Sequence, residues 1–199
     1  MQRRDFFSTP IYLESLPQLL PHREAMIGDV MGMVQQQEVQ DRVRFQGLQT
    51  RATLFERSEP WWGMLRDAFL GICEKIEEDQ RRHDNEQGIV SHDQWVFARA
   101  KCWAYIQDSQ THSADQHTHF PNRWSAVYYL KLPPELEGVQ GGTTFDDPRQ
   151  PITNDSLNVR FEEGDMCIFP SWLRHAPILS PNCAETRITL AMDALYLNT

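Results

Sequence analysis

The stretch Trp95-Val96-Phe97-Ala98-Arg99-Ala100-Lys101-Cys102-Trp103-Ala104-Tyr105-Ile106 is where the chain changes character. Its even positions, from Val96 and Ala98 to Ala104 and Ile106, are small or apolar, whereas its odd positions include Arg99 and Lys101. Side chains alternate across a strand, so this pattern predicts a long β-strand with one apolar face and one mixed face. Further strand signals follow. Trp124–Leu132 is rich in aromatic and β-branched residues and is stopped by Pro133-Pro134, and Gly141-Gly142 precedes Thr143-Thr144-Phe145. Glu162-Glu163-Gly164-Asp165 reads as a tight turn opening the strand Met166–Phe169, and Arg187–Met192 alternates again.

Upstream of residue 95 the periodicity is helical. Phe6-Phe7 and Ile11-Tyr12-Leu13 read as a short strand interrupted by Pro10. Met26, Ile27, Val30, Met31 and Val34 then recur at helical spacing, fading into the glutamines at 35–37. A second helix has Ser58 as its cap, Pro60 in its first turn and an apolar stripe of Trp61, Leu65, Phe69, Ile72 and Ile76; the polar run Glu77–Gln87 ends it. Helices first, then short strands parted by Gly/Pro turns, predict an all-β sandwich or barrel with helices packed on one side. A doubly wound nucleotide fold is excluded, because no strand, glycine loop and helix occur in succession.

The length of 199 residues suits one domain, with helical support over about 1–90 and a β core over about 95–195. With 28 acidic and 19 basic side chains the net charge is −9, the wrong sign for a phosphate-backbone binder. No apolar stretch approaches the roughly 20 residues that span a bilayer. The basic start at Arg3-Arg4 is followed by Pro10, Glu14 and Pro17 rather than a signal-peptide core. The expectation is a soluble, cytoplasmic protein with no nucleic-acid or membrane partner; self-association as a homodimer stays open. Cys73, Cys102, Cys167 and Cys183 show no CxxC spacing and read as buried free thiols.

Phosphate loops, nucleophile elbows and HExxH helices are absent from the sequence, which leaves histidine to carry chemistry. His22, His83 and His92 lie in polar surroundings and read as surface residues. In His117-Thr118-His119 the imidazoles are two residues apart, so on an extended segment both point to one side and could chelate one ion. Exposed loop histidines would look the same. His175, in an otherwise apolar segment, is the candidate third ligand, and Asp115 is an alternative because D-x-H also places two donors on one face. Arg187, Thr189 and Ala191 share one face of the last strand. An arginine turned into a β core needs an anionic partner, either a structural Asp or Glu or a bound dicarboxylate gripped with the Thr189 hydroxyl beside it.

Taken in order, His117-x-His119, His175 and Arg187-x-Thr189 resemble the iron(II)/2-oxoglutarate-dependent oxygenases. The blocks Trp124-Ser125-Ala126-Val127-Tyr128-Tyr129-Leu130, Gly141-Gly142-Thr143-Thr144-Phe145 and Gly164–His175 are similar to the prolyl-4-hydroxylase-like branch. They are most similar to an uncharacterised 2OG-Fe(II) oxygenase group of bacteria and their phages. The resemblance implies a mainly β, cupin-like jelly roll, the double-stranded β-helix, with flanking helices. It implies a dioxygenase that hydroxylates an amino-acid, peptide or small-molecule substrate with Fe(II), 2-oxoglutarate and dioxygen, releasing succinate and CO2. His117 and His175 match the metal histidines of that family, Arg187 the residue that binds the distal carboxylate of 2-oxoglutarate, and Thr189 the hydroxyl beside it. One of Tyr128 and Tyr129 could also reach the cosubstrate, and aromatic packing accounts for them equally well. His119 stands where the family has a carboxylate, which removes one negative charge from the ligand set. That departure keeps two other readings open: a three-histidine cupin-type oxygenase without 2-oxoglutarate, or an inactive β-helix that binds a ligand.

Overall fold

A computed structural model describes residues 9–40, 47–86, 88, 95–108, 111, 115–149, 155–178 and 185–198. The sequence features at Phe6-Phe7, His92, His112 and Cys183 lie outside them. Two helices, α1 (Arg23–Gln35) and α2 (Pro60–Glu86), precede most of the strands. The strands are β1 (Tyr12–Ser15), β2 (Leu48–Gln49), β3 (Trp95–Gln107), β4 (Trp124–Lys131), β5 (Thr143–Asp146), β6 (Ser156–Val159), β7 (Asp165–Pro170), β8 (His175–Pro177) and β9 (Arg187–Asn198). They form a six-stranded sheet in the order β1-β7-β4-β9-β3-β2 and a three-stranded sheet in the order β6-β5-β8, with every pairing antiparallel. Two facing antiparallel sheets answer the sandwich or barrel expected from the alternating patterns.

The register of the large sheet sorts its side chains by parity. In β3 and β9, Cys102 opposes Met192, Ala104 opposes Leu190 and Ile106 opposes Ile188. These residues join Ala126, Tyr128 and Leu130 of β4 in one core with the buried faces of both helices. The intervening residues face the three-stranded sheet, where Tyr129, Cys167 and Phe169 pack with Phe145, Phe161 and Leu173 in a second, smaller core. From Ala100 to Ile106 the small apolar positions therefore meet helices and the mixed positions meet a cavity, whereas Val96 is 52% exposed and a register shift between Phe97 and Arg99 ends the expected alternation there.

The helices differ in detail from their sequence signals. The buried positions of α2 are Trp62, Leu65, Phe69, Cys73 and Ile76, so the stripe runs through Trp62 and Cys73 rather than Trp61 and Ile72. The helix starts at Pro60, which places the capping position at Glu59 rather than Ser58, and it continues through the polar run to Glu86. Glu77 gives that run a function in packing: its carboxylate accepts from Trp124 Nε1 at 2.6 Å and from Arg123, tying α2 to the start of β4. In α1 the buried residues are Met26, Val30 and Met33, while Met31 is exposed. Cys73, Cys102 and Cys167 are buried free thiols, as expected. Among the described residues no helix is long and apolar enough to cross a membrane.

Candidate metal centre and cosubstrate site

The segment 117–119 is extended because it pairs with the chain around β8. His117 and His175 exchange backbone hydrogen bonds at 3.0 Å in both directions, and the His119 N–H donates to Ser171 O at 2.8 Å. The two-residue repeat then turns His117 and His119 to one side, where they meet His175, the first residue of β8, just beyond the end of β7. One ligand atom from each of the three lies within 4.8 Å of the others.

The outer nitrogens fix which atoms converge. His117 Nδ1 lies 2.9 Å from Asp115 O, His175 Nδ1 lies 2.9 Å from Leu173 O, and His119 Nδ1 lies 2.7 Å from Asp193 Oδ1. A carbonyl or carboxylate oxygen only accepts, so each Nδ1 carries the hydrogen and each neutral ring has a bare Nε2. Nε2 of His117 and Nε2 of His119 are 3.0 Å apart. Lone pairs facing one another at this distance repel unless a proton or a metal cation lies among them. Two nitrogens bound to one ion at right angles, with bonds of about 2.1 Å, would be separated by about 3.0 Å. The donor set fits a divalent transition metal. Asp115 contributes its backbone carbonyl to His117, and among the described residues the converging group is the three histidines, without the Asp115 carboxylate that a D-x-H pair would bring.

His175 is 3% exposed and packs against Phe169, with ring centroids 4.5 Å apart. Burial, reinforced by the neighbouring His117 and His119, holds its pKa well below the ordinary histidine value and keeps it a neutral donor. Asp193 is 2% exposed. Burial raises its carboxyl, but the hydrogen bonds from His119 and the Ser125 hydroxyl and the ammonium of Lys101 together outweigh that and hold its pKa below the usual value.

Arg187 begins β9 on the same face as Thr189, Ala191 and Asp193 and is 2% exposed. Among the described residues no carboxylate lies within ion-pair distance of it. Its Nε donates to Gly141 O at 2.8 Å and its Nη1 to Gln107 Oε1 at 2.6 Å. Longer contacts of 3.3 Å run from Nη1 to Thr189 Oγ1 and from Nη2 to Gly142 O. Burial pulls its pKa down, yet a guanidinium stays charged in a protein. The result is a buried cation surrounded by neutral acceptors, a state that calls for an anion. Gln107, which composition and motifs did not single out, adds a buried Nε2 donor with no partner beside the guanidinium.

The glycine pair is required by this geometry. Gly141 has φ +74°, and a Cβ on Gly142 would lie 2.0 Å from Val159 O. Only the bare backbone can bring both carbonyls to Arg187.

The two tyrosines separate cleanly. Tyr129 opposes Thr189 across the β4–β9 ladder, its ring lies 5.5 Å from the Arg187 guanidinium, and its hydroxyl bonds Thr143 Oγ1 at 2.6 Å. Tyr128 points to the opposite face, into the helix-packed core, and cannot reach Arg187. Of the two, Tyr129 is the one that shares a face with Arg187 and Thr189.

A cavity of about 380 Å³ joins these groups. Thr143, Thr189 and Tyr105 line one part of it, the three histidines another, and Trp103, Leu195 and Arg99 continue the lining along β3 and β9. Arg187 does not line the cavity itself; it bonds the lining residue Thr189. Of the other tryptophans weighed as pocket residues, Trp124 is in the helix-facing core and Trp172 is 49% exposed.

Residues 101–193 match the family model described as "Putative 2OG-Fe(II) oxygenase", a span that holds all three histidines, Tyr129, Arg187, Thr189 and Asp193. No curated protein matches by sequence. Among solved structures the chain is similar to a prolyl-4-hydroxylase of Pseudomonas putida, with TM-score 0.56 and 14% identity over 94% of this chain and 93% of that one. A prolyl hydroxylase of Trichoplax adhaerens, in complex with a hypoxia inducible factor peptide fragment, gives 0.59 and 12% over 93% and 83%. AviO1 of Streptomyces viridochromogenes Tue57 gives 0.63 and 10% over 94% and 90%. The shared architecture is the double-stranded β-helix.

Proposed function

We propose that this chain, a 2OG-Fe(II) oxygenase by its family match and its fold, couples oxidative decarboxylation of 2-oxoglutarate to hydroxylation of a small-molecule or peptide substrate. In that reaction one oxygen atom of dioxygen enters succinate and the other enters the product, with CO2 released. The observation that carries the reading is the convergence of three Nε2 lone pairs whose Nδ1 hydrogens are already donated elsewhere. His117, His119 and His175 would hold Fe(II), which when bound supplies the redox activation of dioxygen. Arg187, Thr189 and Tyr129 would receive the distal carboxylate of 2-oxoglutarate. Arg187 is kept in place by its two short bonds to Gly141 and Gln107 while the two 3.3 Å contacts are exchanged for the ligand.

The net charge of −9 does not extend into the cavity. Its charged lining besides the buried Asp193 and the histidines is Arg99 and Lys101, which favours a substrate with an anionic or hydrogen-bond-accepting group over a cationic one. A cupin-type reaction without 2-oxoglutarate is disfavoured by Arg187, which has no carboxylate partner among the described residues.

Anaerobic addition of Fe(II) and then 2-oxoglutarate tests the reading. The native protein is expected to develop a visible charge-transfer band, and Arg187→Gln is expected to bind Fe(II) but weaken 2-oxoglutarate about 100-fold, as for loss of a buried charge pair. No band in the native protein, or an unchanged 2-oxoglutarate titration in the variant, would overturn it.

A further inference from the structure

The three histidines are alike in geometry but not in what stands behind them. His117 and His175 donate to neutral backbone carbonyls, whereas His119 donates to a carboxylate, Asp193 Oδ1, at the shortest of the three distances, 2.7 Å. His119 is also the residue that occupies the carboxylate position of the family's ligand pattern. We infer that Asp193 returns to the metal centre, through His119, the negative charge that the three-histidine set lacks. This rests on the reading of the centre proposed above, and it makes Asp193 a positioning residue and the His119–Asp193 pair an anionic ligand unit.

The carboxylate is built for that task. Oδ1 accepts from His119 and from Ser125 Oγ at 2.7 Å; Oδ2 accepts from Asn122 Nδ2 at 3.0 Å and from Lys101 Nζ at 3.1 Å. Four donors leave the carboxylate no freedom to turn. Ser125 Oγ lies 2.7 Å from Ser171 Oγ, and Ser171 O takes the His119 N–H, so the network closes on the same histidine. Asn122 Nδ2 also donates to His119 O at 2.7 Å. A carboxylate on the outer nitrogen fixes the tautomer and raises the basicity of the inner one, and such partners are worth about 10- to 100-fold in metal affinity. A carboxylate on the far nitrogen of the ligand ring also favours the higher oxidation state of the metal. Lys101 opposes this from the other side, because its ammonium shares Oδ2 and is 44% exposed.

A purely structural acceptor would act differently, and substitutions separate the two. Asparagine at 193 offers an oxygen to His119 and Ser125 but turns an amide toward the donors of Asn122 and Lys101, so Asp193→Asn is paired with Lys101→Gln, whose amide oxygen can accept from it. In the full-length protein under anaerobic conditions, the double variant is expected to weaken Fe(II) binding about 10- to 100-fold and to raise the Fe(III)/Fe(II) midpoint potential. Lys101→Gln alone, at an exposed ammonium whose loss leaves the fold intact, is expected to lower that potential. His119→Asp alone sets two carboxylates side by side and is expected to bind Fe(II) poorly, while His119→Asp with Asp193→Asn places the charge on the ion and is expected to bind it at least about tenfold more tightly than either single variant. Additive losses in that cycle, or an unchanged potential in Lys101→Gln, would overturn the inference; the second measurement decides should the variants at 193 fail to fold. A native protein that binds no Fe(II) overturns the reading of the centre itself, whereas native binding with an unresponsive potential removes only the role of Asp193.

Discussion

Strand β9 carries two chemistries on one backbone. Ile188, Leu190, Met192 and Ala194 look toward the helices and are almost fully buried; Arg187, Thr189, Ala191 and Asp193 look toward the small sheet. Arg187, Thr189 and Asp193 are as inaccessible as their neighbours, at 2%, 3% and 2%. Burial therefore does not distinguish the faces, and the fate of polar groups does. On the helix face the hydroxyls of Tyr128 and Tyr196 are buried with no hydrogen-bond partner. On the cavity face the Tyr129 hydroxyl, the Arg187 guanidinium and the Asp193 carboxylate are each held by named donors or acceptors. That face gathers buried charged and hydroxyl groups held in place by named partners and leaves the Gln107 Nε2 donor open beside the guanidinium, the pattern of a face shaped for a ligand.

The two faces should fail in different ways. His175→Ala removes one of three convergent donors, so Fe(II) affinity should fall by well over the about 100-fold that even an outer-sphere partner can cost, with thermal unfolding of the metal-free protein shifted little. Metal titration beside calorimetry reads both. Leu190→Ala, one position from Thr189 but on the other face, should do the reverse: a loss of about 3 kcal/mol in denaturant unfolding, within the 2–5 range of such truncations, with Fe(II) affinity retained in the folded fraction. Equal effects of both variants on both measurements would dissolve the distinction between the faces.

Much of this was legible in residue order because it depends on period two. The His117 and His119 pair, the alternation of 95–106 and the Arg187, Thr189, Ala191 series all follow from strand geometry once a strand is granted. What was not legible depends on register. Nothing local says that Tyr129 rather than Tyr128 opposes Thr189, because that pairing is set by the contact of β4 with β9, which includes a register shift between Tyr129 and Lys131. Asp193 continues the Arg187, Thr189, Ala191 series by one more step. Its true neighbour, His119, lies 74 residues away in sequence. Gln107 ends a strand and looks like any polar terminus. The extension of α2 through Glu77–Glu86 was missed because a polar run has no apolar period, while Glu77 is engaged by Trp124 and Arg123 from a distant strand. Strands β2, β6 and β8 are too short, at two to four residues, to carry a pattern.

The finest test of the comparison uses adjacent residues. The Tyr128 hydroxyl is buried without a partner, and burial pushes its phenol up to about 12. Tyr128→Phe deletes an unsatisfied group and keeps the ring, so stability should be unchanged or rise by up to about 1 kcal/mol. Tyr129→Phe deletes the partner of Thr143 Oγ1 and strands a buried hydroxyl, so it should cost about 1 kcal/mol. It should also weaken 2-oxoglutarate severalfold, while Tyr128→Phe leaves that titration alone. The pair shares sequence context, volume change and depth, so any difference between the two variants comes from the face each occupies. Identical stability and identical cosubstrate binding would mean that the cavity-facing hydroxyl is packing, like its neighbour, and that Arg187 and Thr189 hold the carboxylate without it.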